Sequence, residues 1–305
     1  MIDPTSLSRL KPADVVYLSP DAETAALSCA GGMLAHRERG RRVLIVILFG
    51  GEGDAAPAVG PTARIGADRL AVGLPHARLR SPAHGRCETS LFGRLPEDDE
   101  VLVHLCHWLG EMARRTQLRQ VYAPLGVFGH IDHRLAHEAV SATFEAGAGR
   151  DVFFYEERPW ALREGAVRVR LAQLGARLPP AVTAPLDGSG LVSLVTGVLG
   201  DPVVRRHQAG VWDAVRSAGR TVRQWREARS WRPHRAFGLR LQPILQETPA
   251  AALRLIDEGC RELPGVSPFG AADRLETLAR RHARRLGCAG PTERYWLRLP
   301  TRDET

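Results

Sequence analysis

From Arg42 to Phe49 the chain reads Arg-Val-Leu-Ile-Val-Ile-Leu-Phe, a near-continuous apolar run. A strand with one wet face alternates polar and apolar residues. A continuous run of this length instead suits a parallel strand covered by helices on both faces. The residues around it read the same way. Asp14–Ser19 is a second short apolar run. Thr24–Arg39 is alanine-rich, with Leu27, Gly31, Leu34 and Ala35 on one helical face, and Gly40 follows where a left-handed cap is wanted. Together they predict a strand–helix–strand unit. Gly50–Pro61 is a Gly/Pro-marked loop leaving the strand's C-terminal end, where open α/β sheets bind ligands.

Further along, the pattern predicts a helix over Arg64–Val72 and an irregular stretch to about Pro96. An amphipathic helix follows over Asp99–Thr116, with Val101, Leu102, Leu105, Trp108 and Leu109 on one face. Strands are expected at Gln120–Ala123 and Asp151–Tyr155, with a helix over Arg134–Glu145 between them. Beyond Pro159 the expected segments are helical: Leu191–Leu199, Val203–Ala218, Ala250–Leu263 and Ala271–Leu286. The fold class is α/β, with residues 1–160 as the core and 161–305 as a mainly helical part of the same domain that covers the pocket.

Composition narrows the function classes. The chain has 305 residues, a net charge of +8 and 44% hydrophobic residues, enough for a large core. The positive charge is nearly all arginine, Lys11 being the sole lysine. The densest stretches, Arg220–Arg235 and Arg280–Arg285, have apolar residues at helical spacing and read as solvated helix faces, so no nucleic-acid partner is expected. Five scattered cysteines (Cys29, Cys87, Cys106, Cys260, Cys288) without a Cys-x-x-Cys pair argue against a disulfide framework or a thiolate zinc site. Met1–Ala13 lacks an apolar signal segment, and no apolar stretch reaches the roughly 18 residues a membrane span needs. A cytoplasmic location is expected, with a small-molecule substrate.

The chemistry concentrates in Gly129-His-Ile-Asp-His-Arg-Leu-Ala-His137. His133 and His137 are four apart and share a helix face; His130 and His133 can reach one point from the loop. Asp132 can either orient an imidazole from behind or cap the helix. Other histidines carry less. His104 and His107 suit a helix surface, and His36, His76, His84, His207, His234 and His282 are isolated. Trp108, Trp212, Trp225 and Trp231 read as core. Gly50-Gly-Glu-Gly53 sits at the right sheet edge for substrate but lacks the rest of a phosphate loop.

Pro124-Leu-Gly-Val-Phe-Gly-His-Ile-Asp-His-Arg134 resembles the second motif of the LmbE/PIG-L de-N-acetylases, a glycine-flanked His-x-Asp-His. Phe154-Tyr-Glu-Glu-Arg-Pro-Trp160 and Glu293-Arg-Tyr-Trp296 are similar to later segments of that family. Leu18-Ser-Pro20 and Leu27-Ser-Cys-Ala-Gly-Gly32 match its first unit. The resemblance implies a Rossmann-like three-layer sandwich with a mostly parallel sheet, closed over by a helical C-terminal extension. It also implies one zinc, held by a histidine and an aspartate of a His-x-Asp-Asp motif and by the second histidine of His-x-Asp-His, here His133. Such an ion lowers the pKa of bound water to about 7 while a carboxylate takes the proton.

The first motif departs from that pattern. Asp21 stands at the family's histidine, Ala22 at its variable position, Glu23 at its base and Thr24 at its liganding aspartate. A threonine hydroxyl is a poor zinc ligand. Three readings follow: a divalent ion still bound by Asp21, His133 and either Glu23 or His137; metal-free acid–base chemistry; or a catalytically dead member kept for binding or for pairing with an active partner. The resemblance implies amide hydrolysis, removal of an N-acyl group from an amino sugar or natural-product intermediate. In that reading Asp21 and His133 are metal ligands for zinc or another divalent ion. Glu23 is the base, His130 the oxyanion partner, Asp132 the group behind His133, and Arg64 and Asp68 contact substrate. The alternative is a member that has lost zinc hydrolysis and works as a metal-independent biosynthetic enzyme or a ligand-binding pseudoenzyme.

Overall fold

The structure, a computed structural model, describes residues 7–8, 10–50, 60–80, 100–116, 118–127, 129–163, 165–178, 191–192, 195, 211–230, 238–261 and 272–300. Its strands are β1 (Val15–Ser19), β2 (Val43–Phe49), β3 (Asp68–Leu74), β4 (Gln120–Pro124), β5 (Asp151–Tyr155), β6 (Arg240–Glu247) and β7 (Thr292–Leu299). The helices are α1 (Thr24–Glu38), α2 (Pro61–Arg64), α3 (Ala77–Arg80), α4 (Glu100–Arg115), α5 (Ile131–Thr143), α6 (Ala166–Gln173), α7 (Val211–Ser230), α8 (Ala250–Arg261) and α9 (Ala272–Arg285).

The strands form one sheet in the order β3-β2-β1-β4-β5-β7-β6. The first five run parallel; β7 runs antiparallel to β5, and β6 antiparallel to β7. Registers such as Ser19↔Ile47 and Pro124↔Tyr155 bring the C-terminal ends of the parallel strands to one edge. Both faces are covered, as the uninterrupted apolar runs require. In β1 the odd residues, Val15 and Tyr17, pack with Ala26, Met33 and Ile256 of α1 and α8. The even ones, Val16 and Leu18, pack with Leu105, Leu109, Leu135 and Val140 of α4 and α5. Each such buried aliphatic side chain contributes about 1.5–3 kcal/mol relative to exposure. A smaller cluster joins α6 to α7 through Ala166, Val169, Trp225 and Ala228.

The expected α/β architecture and the elements around residues 14–49 are present, Gly40 included, at φ +73°. Two expectations are corrected. The helix expected over Arg64–Val72 is instead a short α2 followed by β3. Gly66 takes φ +68°, which ends the helix, and Leu70, Val72 and Leu74 are buried at the two-residue period of a strand. The C-terminal part, expected to be mainly helical, also supplies β6 and β7. Pro243 speaks against a strand in most settings, but β6 lies at the sheet edge, where a missing amide costs nothing. In β7 the polar residues Glu293 and Arg294 hide the pattern by finding partners indoors.

His104 and His107 are exposed on α4, while His36, Trp108 and Trp225 are buried. Gly51–Gly53, His84, Cys87, His207, His234, Trp231, most of the segment 191–199 and residues 203–210 lie outside the described residues, as does the Trp212 side chain. No helix among the described residues is long and apolar enough to cross a membrane.

Candidate active site

Strand order reverses between β1 and β4, since β2 and β3 lie on one side of β1 and β5 on the other. Loops leaving neighbouring strands there diverge to opposite faces and open a crevice. The exits of these two strands carry Asp21–Thr24 and His130–His133.

The first exit is shaped by Asp21. Its Oδ1 accepts the amides of Glu23 (2.9 Å) and Thr24 (2.7 Å), and its Oδ2 accepts the Thr24 hydroxyl (2.7 Å). The Ser19 hydroxyl accepts the Ala25 amide at 2.9 Å. These bonds satisfy amides that the first turn of α1 leaves without helical partners. The second exit passes Gly126 and Gly129, both at positive φ, into α5. Here His130 is the cap: its Nδ1 accepts the Asp132 amide at 3.2 Å.

The two exits meet. His133 Nε2 lies 3.8 Å from Asp21 Oδ2, and the His130 and His133 rings stand edge to face at 5.8 Å. The other His133 nitrogen, Nδ1, is 3.3 Å from Glu157 Oε1. Glu157 follows β5, is fully buried, and also accepts the Gly126 amide (2.7 Å) and the Val127 amide (3.0 Å). One carboxylate therefore fixes both the glycine loop and the imidazole. A proton on Nδ1 directed at Glu157 leaves Nε2 to face Asp21.

Burial and neighbours set the proton affinities. Burial disfavours a charged His133, but Glu157 and then Asp21 outweigh it and raise its pKa. Burial dominates at His130 and lowers it to about 4, against the pull of Asp132. Asp132 is held at about 2: burial pushes upward, but His76, His130, Arg80 and the Ala77 amide together prevail. Glu23 is raised to about 8, first by burial and then by Asp21, with the Thr62 amide acting the other way.

Asp21, His130 and His133 thus come together as expected; other residues are placed differently. Asp132 does not stand behind His133. Adjacent residues on a helix point about 100° apart, and Asp132 faces the loop after β3. There it meets Arg80 Nη2 at 2.7 Å, the Ala77 amide at 3.1 Å and His76 Nδ1 at 3.6 Å. Its carboxylate lies 3.8 Å from His130 Nδ1, and its backbone amide is what holds that ring. Glu23 neighbours Asp21, Thr62 and Cys260, and at a pKa of about 8 it keeps its proton at neutral pH. His137 lies inside the fold, with Nδ1 3.2 Å from the Pro124 carbonyl and its ring 4.3 Å from Phe154. Arg64 pairs with Glu258 of α8 at 2.8 Å. Asp68 pairs with Lys11 at the N-terminal end of β3, the edge opposite the crevice.

Sequence reasoning assigned no role to Glu157, Arg80, His76 or Thr62. The one available signal was Glu156-Glu157 at a strand exit, two consecutive acids in an apolar setting. They separate: Glu157 serves the crevice, while Glu156 takes the Trp296 indole N–H at 2.8 Å and Arg294.

A hydrolytic zinc needs three protein ligands and one open position. Asp21 and His133 are two. The Thr24 hydroxyl is already bonded to Asp21, Glu23 has Thr62 and Cys260 for neighbours, and His137 is turned inward. Among the described residues no three His, Cys, Asp or Glu side chains are gathered as one ion requires. The side chains present do not fit the three-ligand zinc that the resemblance implies.

Fold and crevice define an α/β protein with a polar site at the switch point of a mostly parallel sheet. No family model matches the chain. It is 31% identical over 208 residues to the 2'-N-acetylparomamine deacetylase of Streptomyces fradiae, covering 62% of this chain and 72% of that protein. Among solved structures it is similar to the zinc-inhibited form of teicoplanin deacetylase (TM-score 0.54, 14% identity, 95% of this chain and 99% of that one). It is also similar to the A40926 pseudoaglycone deacetylase (TM-score 0.52, 14% identity, 95% and 98%). At such identities these structures establish the fold alone. With the Streptomyces relative, they place the chain: it belongs to the LmbE/PIG-L deacetylase family.

Proposed function

We propose that this chain is an amide hydrolase that removes an N-acyl group, acetyl in the first instance, from an amino sugar or a natural-product intermediate carrying one. The observation that carries the reading is the meeting of Asp21 with His133 at 3.8 Å, with Glu157 behind the imidazole. The S. fradiae relative, a deacetylase named for 2'-N-acetylparomamine, supports the substrate class.

Amide hydrolysis requires a proton taken from water, charge stabilised on the carbonyl oxygen, and a proton delivered to the leaving amine. Asp21 and His133 Nε2 face each other across a gap in which a water can lose its proton. Glu157 keeps the imidazole in one tautomer and stabilises its charged form once the proton arrives. His130 is neutral at a pKa of about 4. Its Nδ1 is occupied by the Asp132 amide, so its proton sits on Nε2 and serves as a donor to the developing oxyanion.

The test is acetate release from N-acetylated amino sugars, N-acetylparomamine first, by wild type and His133→Ala. Wild type releases acetate, and the variant loses at least about 100-fold in kcat/KM, the lower end for a group that moves a proton in the transition state. Equal rates in the two proteins would overturn the reading.

A further inference from the structure

We infer that the crevice does not keep zinc as a resident ion, because the first strand's exit has been rebuilt as a helix cap. Asp21 holds three donors, two amides and a hydroxyl, and all three belong to the opening of α1. Two carboxylate oxygens offer about four lone-pair sites. A single further bond is therefore what Asp21 has to give, and one imidazole nitrogen, His133 Nε2, is what the second exit gives beside it. Two donors of this kind leave half of a tetrahedral shell to water. Thr24, where the family motif carries a carboxylate, contributes a neutral hydroxyl whose proton is already directed at Asp21 Oδ2. Asp21 and Thr24 are thus satisfied by each other and by the opening amides of α1 in the absence of an ion. The Glu23 carboxylate oxygens are buried, with Thr62 and Cys260 among their neighbours.

The inference concerns the chain's own donors and stands apart from the substrate. It is tested on substrate-free protein by metal analysis after purification without chelator, and by competition for zinc against a chromophoric chelator. Wild type should carry substoichiometric zinc and show the same weak competition as His133→Ala. Thr24→Asp, which keeps the Asp21 cap and adds a third donor, and the double variant Asp21→His/Thr24→Asp should bind one zinc per chain. Their affinity should exceed that of wild type by more than about 100-fold, since even a supporting partner of a ligand is worth about 10–100-fold. One tightly held zinc per wild-type chain, lost in His133→Ala, would overturn the inference. If neither restored variant folds, the wild-type measurement decides alone. Acetate release with substoichiometric zinc upholds both readings.

Discussion

Glu157 enters the site from a third strand exit and binds two loop amides and one imidazole, so it ties β4's exit to β5's. Nothing in its local spacing announces this, because its partners lie 24 or more residues away. The histidine pair and the acid at Asp21 were legible, being close in sequence to strand ends that the apolar runs had already located. What each acid does was not, since helical phase, and not proximity in sequence, sends Asp132 to Arg80 and His130. A residue outside the crevice gives a pH test of the packing around α1. His36 is buried, with Nε2 3.1 Å from the Tyr122 hydroxyl and Nδ1 3.3 Å from Arg41 Nη1. An arginine can only donate, so Nδ1 accepts and the ring is neutral. Burial, reinforced by Arg41, lowers its pKa from 6.5 to about 4. The unfolded chain therefore binds a proton near pH 6.5 that the folded chain refuses. Stability contributed by neutral His36 is intact above that pH and is lost as pH falls from 6.5 through about 4, by up to about 3 kcal/mol. Urea titrations of wild type and His36→Gln should show the wild type losing this much more over that window. Parallel curves would count against the assignment.

At the scale of elements, the meeting of α1 with β7 explains a coincidence in the sequence, Gly31-Gly32 and Glu293-Arg-Tyr-Trp296 in one chain. The Glu293 carboxylate accepts the amides of Gly31 and Gly32 at 2.8 Å each, and the Tyr295 hydroxyl donates to it at 2.6 Å. A β-carbon on Gly32 would lie 2.4 Å from the Tyr295 hydroxyl and 3.0 Å from that of Tyr17. Gly32→Ala gains helix propensity of up to about 1 kcal/mol, yet overpacking costs about 1–3 kcal/mol. Net destabilisation of about 1–2 kcal/mol is expected in chemical denaturation, relieved in part by Tyr295→Phe, which removes the obstructing oxygen. A stabilised Gly32→Ala would refute the close approach. The same interface shows where pattern reading stopped. β1, β2, β4 and β5 declare themselves through apolar runs, because both faces are covered. β7 does not, because Glu293 is held by the Gly31 and Gly32 amides of α1 and Arg294 by Glu156, just past β5. β6 is masked by Pro243, and β3 by helix-compatible residues whose strand character comes from pairing with β2.

For the whole molecule, topology is what makes a site of residues more than a hundred positions apart. The order β3-β2-β1-β4-β5 puts the exits of β1 and β4 side by side on the edge where parallel strands end, and the α/β class read from the sequence anticipated that edge. The sequence reading could not anticipate how the rebuilt first motif would be used, because a cap and a ligand call for the same acid at the same place. The account rests on Asp21 and His133 acting as one unit across the crevice. A double-mutant cycle measures this most directly: unfolding free energies of wild type, Asp21→Asn, His133→Gln and the double variant at pH 7. Contact at 3.8 Å predicts a coupling of about 0.5–3 kcal/mol. Additivity within about 0.3 kcal/mol would mean that the two exits do not meet and would contradict the account.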